Sequence, residues 1–240
     1  MKMHWAAIVA VWLLPVLFAI TVHEAAHGWV ASKLGDRTAR RMGRLALNPF
    51  KHIDPVGTIV VPVVLFLLPG GILMGWAKPV PVVMGNLRRP RRDMAWVAAA
   101  GPGSNFVMAV LWAVVAKLAV VYHQAFTPDA GMIPFYFFAA GTAGIYINTV
   151  LMVINLLPIP PLDGGRVLAG IVPPAVSAKL DAMERFGLLI VMALLFSHSL
   201  DWLIGPALHS VIHLILTLLQ IPQIEFYKAW ALIGPSGGGA

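Results

Sequence analysis

Near the end of the first apolar stretch of the chain stand five residues, His23-Glu24-Ala25-Ala26-His27, three of which can bind metal or move protons. On an α-helix, side chains four residues apart lie one turn above each other on one face, so both imidazoles can reach a single divalent ion. Glu24 points about 100° to one side of that face, near enough to take a proton without being a ligand. Two histidines and a carboxylate are costly to keep among apolar residues in hydrocarbon, so their presence calls for a chemical role.

A catalytic zinc keeps three protein ligands and one open position, and two histidines with one carboxylate form such a set. The chain has no cysteine, which leaves His, Asp and Glu as ligands. Of its 10 carboxylates most fall in loops, and only Glu24 and Asp163 lie within or directly against the strongly apolar helices in a position to meet His23 and His27. Asp163 follows Asn155-Leu156-Leu157-Pro158-Ile159-Pro160-Pro161-Leu162 and precedes Gly164-Gly165, where prolines stop a helix and extend the chain. Asp163 is therefore the expected third ligand to one Zn²⁺ per chain, with Glu24 as general base. Asn155 is expected to offer its side-chain amide to a scissile carbonyl or a developing oxyanion. A turn role for Asp163 before the glycine pair, and a capping or helix-bridging role for Asn155, are the competing readings. His209 and His213 repeat the four-residue spacing without a glutamate and read as interfacial or packing residues, while His52 and Asp54 read as turn formers or as neighbours of a cavity mouth.

The elements that must position these groups are membrane helices. The chain of 240 residues is 59% hydrophobic and 11% charged, with a mean hydropathy of +0.83. Charge-free runs cover residues 5–22, 55–77, 94–116, 130–162, 186–200 and 202–224, and about 20 apolar residues cross a bilayer as a helix. The net charge of +7 sits in short loops between these runs, which makes it a topology signal rather than a nucleic-acid surface. Residues 1–22 run straight into the histidine motif without a small-residue cleavage site, so they are expected to be a mature helix.

Helices are expected over His4 to Leu34, Met94 to Tyr122 and Ile133 to Leu157, followed by one or two further spans within 186–220. The loops 33–54 and 78–93 hold clustered Lys and Arg, and both read as cytoplasmic. The apolar run 55–77 between them is long enough to span, but a single span would part the two loops. Pro62 and Pro69-Gly70-Gly71 interrupt it, so a re-entrant or β-like excursion is expected, with an edge strand around Val80, Val82 and Val83. With that topology Asp163 reaches the level of the histidines; with a spanning segment it ends on the opposite side. The stretch Ala100-Gly101-Pro102-Gly103-Ser104-Asn105 fits either close helix packing or a functional role. The expected fold is an all-α polytopic membrane protein of about 5–6 transmembrane helices. A catalytic core over 1–170, C-terminal transmembrane or interfacial helices over 171–224 and a tail over 225–240 complete the organisation.

The segments HEAAHGWVASKLGD at 23–36, RLALNPFKHIDPVGT at 44–58, GWAKPVPV at 75–82, AGPGSN at 100–105 and NLLPIPPLDGGR at 155–166 together resemble the site-2 protease family of intramembrane zinc metalloproteases (peptidase family M50), in its short bacterial and archaeal branch. The resemblance covers roughly the first 170 residues, and the C-terminal third matches only in character. It implies His23, His27 and Asp163 as zinc ligands, Glu24 as base, and a site reached from the cytoplasmic side of a prokaryotic inner membrane. It also implies a transmembrane-helix substrate, partly unwound into a strand and cleaved within the lipid bilayer. The PDZ and CBS modules of other branches have no counterpart in the chain. A metal-ion transporter, or a non-proteolytic scaffold that binds helices, are the alternatives from other classes, although a transporter leaves Glu24 without a task.

Overall fold

The computed structural model describes residues 3–61, 77–126, 132–197 and 199–234, and among these the secondary structure is helical, with no β-strand. Helix α1 (Trp5–Leu34) begins where the His4 side chain accepts the Ala6 N–H, and it ends at Gly35. Gly35 has φ 122°, and a Cβ there would stand 2.8 Å from Asn86 O, so the turn out of α1 requires glycine. After a single turn, α2 (Thr38–Arg41), the chain reaches the next long helix, α3 (Pro90–Phe126). This helix starts earlier than the expected Met94, because Pro90 suits a first helical position and Asp93 reaches back to the Arg89 N–H at 2.8 Å. Helix α4 (Met132–Asn155) ends two residues before the expected Leu157, ahead of Pro158.

These three helices are long and apolar enough to cross a membrane. At 30 residues α1 is about 45 Å long, more than the about 30 Å of hydrocarbon in a bilayer. Both α1 and α4 pack on α3. Along the α3–α4 seam Ala109, Ala113 and Ala116 are fully buried, and a Cβ on Gly141 would lie 2.7 Å from that of Ala116. Trp112 occupies the space over Gly144. Small residues let the backbones approach, which is how helices gain van der Waals contact where lipid supplies no hydrophobic drive.

The remaining helices are α5 (Asp163–Ile171), α6 (Pro174–Met183), α7 (Gly187–Phe196), α8 (Ser199–Leu218) and α9 (Gln223–Ile233). Helix α7 ends at Phe196 and α8 begins at Ser199, while Pro206 lies inside α8. Residues 225–233, expected to belong to a tail, lie in α9. Trp230 of α9 stacks on Tyr146 at 3.8 Å between ring centroids, Ile233 is buried, and its carbonyl accepts the Trp12 indole N–H at 2.9 Å. Apolar residues at helical spacing dock α9 onto α1 and α4 in place of a free tail.

The connection from α1 to α3 gathers at one end of α1. Asp36, fully buried, accepts hydrogen bonds from the Thr38 amide and hydroxyl, the Val83 amide at 2.6 Å and the Asn86 side chain at 3.1 Å. The Arg88 N–H donates to Leu34 O, and the Lys78 N–H donates to His52 O at 2.8 Å. Arg44 extends its guanidinium to the carbonyls of Lys51, Lys78 and Pro79. The edge strand expected at Val80, Val82 and Val83 is absent for a definite reason. Pro79 and Pro81 have no N–H, and those of Val80 and Val83 go to the carboxylates of Glu24 and Asp36. Pro55–Val60 form a π-helical turn capped by Asp54; the rest of the proposed excursion, 62–76, lies outside the described residues.

Burial alone would raise the Asp36 pKa, but the donors from Thr38, Val83 and Asn86 outweigh it and hold the carboxyl below its ordinary value of 3.8. A carboxyl lowered on folding stabilises the fold above its unfolded pKa, and that contribution is lost as pH falls through the lower, folded one. Asp36→Asn is therefore expected to speed amide exchange at Thr38 and Val83 at neutral pH. It should also flatten the loss of thermal stability of the detergent-solubilised protein as pH falls below the ordinary carboxyl value of 3.8; an unchanged acid limb would remove Asp36 from this role.

Candidate metal centre

His23 and His27 lie one above the other in the last third of α1, and Asp163 is the first residue of α5. Two features aim that aspartate. Arg91, in the first turns of α3, donates to the carbonyls of Ala169 and Val172 and so ties down the far end of α5. At the near end the turn folds back so tightly that a Cβ on Gly164 would overlap the Leu156 and Leu157 carbonyls, and one on Gly165 would stand 2.6 Å from Pro160 N. Gly164 and Gly165 thus permit the close approach that brings Asp163 to α1.

The three donor atoms converge. His23 Nε2 and His27 Nε2 are 3.0 Å apart, and Asp163 Oδ2 lies 3.2 Å from the first and 3.4 Å from the second. Four ligands held tetrahedrally at about 2.0–2.2 Å from an ion stand about 3.3–3.6 Å from one another, so the triangle has nearly the size of one face of such a shell.

The hydrogen bonds behind the ligands determine which atoms face inward. Asn105, fully buried on α3, donates through Nδ2 to Ala19 O at 3.1 Å, a carbonyl that can only accept. Its Oδ1 therefore faces His23 Nδ1, at 2.6 Å, and that nitrogen must carry the proton. His27 Nδ1 lies 2.7 Å from the Val97 carbonyl and must donate for the same reason. Both neutral imidazoles then turn unprotonated Nε2 atoms toward each other and toward a carboxylate oxygen that is buried without a hydrogen-bond partner. Three lone pairs pointing at one spot repel unless a cation or a proton stands between them. The donor set, the size of the triangle and the orphaned Oδ2 all fit a divalent metal ion.

Glu24 is outside the triangle, with Oε2 accepting the Val80 N–H at 2.9 Å. It thus lies between the ligands and the extended segment 77–83. Asn155, expected to face a substrate, ends α4 with its Nδ2 bonded to Leu151 O at 2.9 Å. His52 is buried, with Nε2 on Ala46 O, and His209 and His213 line a separate groove on α8.

Helix α3 backs both histidines, a role that its sequence alone does not specify. Val97, Gly101 and Asn105 recur every four residues, so one stripe of α3 faces the histidines. A Cβ on Gly101 would overlap His27 Nε2 and stand 2.5 Å from His23 Cε1. Asn148 of α4 extends the support by accepting from Asn105 Nδ2 at 3.0 Å while donating to Gly144 O. The signal was present in Gly101-Pro102-Gly103-Ser104-Asn105, but only the packing of α3 on α1 shows which of these residues touch the site.

Gly101→Ala is expected to displace the imidazoles and abolish stoichiometric metal retention after dialysis. Asn105→Ala, which leaves the ligands in place but frees the His23 tautomer, should weaken metal affinity by about 10–100-fold. Competition with a chromophoric chelator measures both, and wild-type affinity in Asn105→Ala would refute the orienting role.

The model of Peptidase family M50 matches residues 117–197, a segment that includes Asn155 and Asp163. YwhC of Bacillus subtilis, named as a candidate zinc metalloprotease, is 36% identical over 200 residues, covering 82% of this chain and 85% of that protein. Rip2 of Mycolicibacterium smegmatis, named in the same way, is 30% identical over 195 residues, covering 81% of this chain and 68% of its own. Rip2 of Mycobacterium tuberculosis is 28% identical over 200 residues, covering 82% and 70%. No solved structure gives a significant match. A membrane-helix protein with a converging His-His-Asp set, related along four-fifths of its length to YwhC, the chain belongs to peptidase family M50.

Proposed function

We propose that the protein is an intramembrane zinc metalloprotease that hydrolyses peptide bonds in or near transmembrane helices of membrane-protein substrates. The observation that carries this reading is the triangle of His23 Nε2, His27 Nε2 and Asp163 Oδ2, with Glu24 directly beside it. His23, His27 and Asp163 would hold one zinc ion; when bound, the ion supplies Lewis acidity and lowers the pKa of water to about 7.

The remaining work falls to side chains of the chain itself. Glu24 takes the proton from the attacking water and returns it to the leaving amine, while its Oε2 stays oriented by the Val80 N–H. Asn155 has a second amide hydrogen besides the one given to Leu151, and we assign it to the substrate carbonyl. Residues 77–83, extended and already bonded to Glu24, lie where an unwound substrate segment would pass.

The bonds between Lys78 and His52, Leu34 and Arg88, and Asp36 and Val83 support the topology read from the basic loops. They bring both ends of the 53–77 segment to the same end of α1, which favours a re-entrant excursion, and the Lys and Arg residues there point to the cytoplasmic side of a prokaryotic inner membrane. On this reading α1, α3 and α4 span, and α7 and α8 supply the further spanning or interfacial helices.

With purified protein in lipid and a transmembrane-helix substrate, Glu24→Gln is expected to retain zinc yet lose at least about 10²-fold in cleavage rate. Asp163→Ala should lose both the metal and the activity, and chelation should abolish cleavage reversibly. Cleavage that survives Glu24→Gln and chelation together would end the zinc-protease reading. Single cysteines at Gly43 and Arg88 should both label from the cytoplasm, and labelling from opposite sides would refute the re-entrant topology.

A further inference from the structure

The end of α1 beyond the metal ligands carries a second concave site. A pocket of about 530 Å³ is lined by Trp29, Ser32, Lys33, Arg37, Arg40 and Arg88, among others. The positive-inside tendency accounts for basic residues in this loop, but it does not require three cations from residues 33–40 and a fourth, Arg88, to converge on one cavity. No salt bridge joins any of the four to an acid among the described residues. Asp36, the acid next to Arg37 in the chain, already accepts from Thr38, Val83 and Asn86. Four like charges around a cavity repel one another, and a bound anion relieves that repulsion.

The location says more about the anion. Trp29 and Ser32 belong to the last two turns of a helix long enough to span a membrane with length to spare. Trp29 is 58% exposed and has the Lys33 ammonium 5.5 Å from its ring centroid. An exposed tryptophan beside lysine at the end of a spanning helix is the usual occupant of the headgroup layer. The cavity volume falls within the range of small-ligand sites, and clustered Lys and Arg directly beyond a spanning helix attract anionic lipid headgroups.

We infer that this pocket is a binding site for a phosphate-bearing anion, the headgroup of an anionic phospholipid in the leaflet at the C-terminal end of α1. The site stands apart from the proteolytic reading, because none of its lining residues is a ligand or the base. Its phosphate is bound by Lys33, Arg37, Arg40 and Arg88, and Trp29 sits at the boundary with the acyl chains.

The test titrates detergent-purified protein with short-chain phosphatidylglycerol, with phosphatidylcholine and with inorganic phosphate, reading the thermal shift. Anionic phospholipid that co-purifies with the protein is quantified per chain by mass spectrometry. Phosphatidylglycerol is expected to stabilise the wild type saturably and phosphatidylcholine is not. The triple variant Arg37→Gln, Arg40→Gln, Arg88→Gln should lose at least fivefold in both affinity and co-purified lipid. A control with the same loss of charge outside the pocket, Arg89→Gln, Arg92→Gln, Lys179→Gln, should stay within twofold of wild type. Ser32→Phe, which fills the cavity while keeping every charge, should also lose the lipid, and it carries the test should the triple variant fail to fold. Equal stabilisation by inorganic phosphate, abolished by the same variants, would identify a soluble source for the same anion site. The proposal is overturned by no saturable effect of either anion on the wild type, by equal losses in the control triple, or by wild-type binding in Ser32→Phe.

Discussion

The structure depends on the convergence of three lone pairs in a place from which water is largely excluded. Two imidazole nitrogens 3.0 Å apart, with a buried carboxylate oxygen 3.2 and 3.4 Å away, repel one another unless positive charge stands among them. Such an arrangement persists only when each ligand is held from behind. The Val97 carbonyl and the Asn105 side chain hold the histidines, and the Arg91 bonds with the glycine-tight turn at Gly164 and Gly165 hold the aspartate. The energetic conflict at the centre is thus supported by ordinary hydrogen bonds in the surrounding shell.

Helix α3 links these supports. Its first turns grip the end of α5, its Val97-Gly101-Asn105 stripe faces α1, and its alanine seam packs against α4. Gly101 combines two constraints that usually conflict. A side chain at that position would overlap the imidazoles, whereas the glycine lets the backbone of α3 come against both of them and places the Val97 carbonyl within bonding distance of one. Asn148 carries the same support into α4, so all three long helices share one buried polar chain in an otherwise apolar interior. In hydrocarbon an incomplete chain of this kind leaves unsatisfied polar groups, which favours one relative placement of the helices over others.

The α1–α3 connection adds a different economy of hydrogen bonds. Two carboxylates, Glu24 and Asp36, accept backbone N–H groups from residues 80 and 83. With prolines at 79 and 81, the extended segment leaves few donors for a neighbouring strand and is bound instead to α1 and to the turn that follows it. The group assigned as base and the segment that would lie beside a substrate are therefore positioned by one bond, so movement of either is coupled to the other.

Much of the chemistry was legible in the residues alone. The four-residue spacing of His23 and His27, the lack of cysteine and the scarcity of carboxylates in a position to meet the histidines singled out the same three groups that the fold brings together. Hydropathy likewise determined the three long helices to within a few residues, because helix length in a membrane is set by composition and by proline and glycine at the ends. Tertiary structure alone decided the roles of Gly101 and Asn105, the tautomers of the histidines, the engagement of Val80 and Val83 by carboxylates, and the docking of α9 in place of a longer tail. Each of these depends on which face of one helix meets another across tens of residues, and local periodicity carries no information about that pairing. Sequence therefore determined which groups could hold the metal, and only the packing of α3 between α1 and α4 decided how they are held.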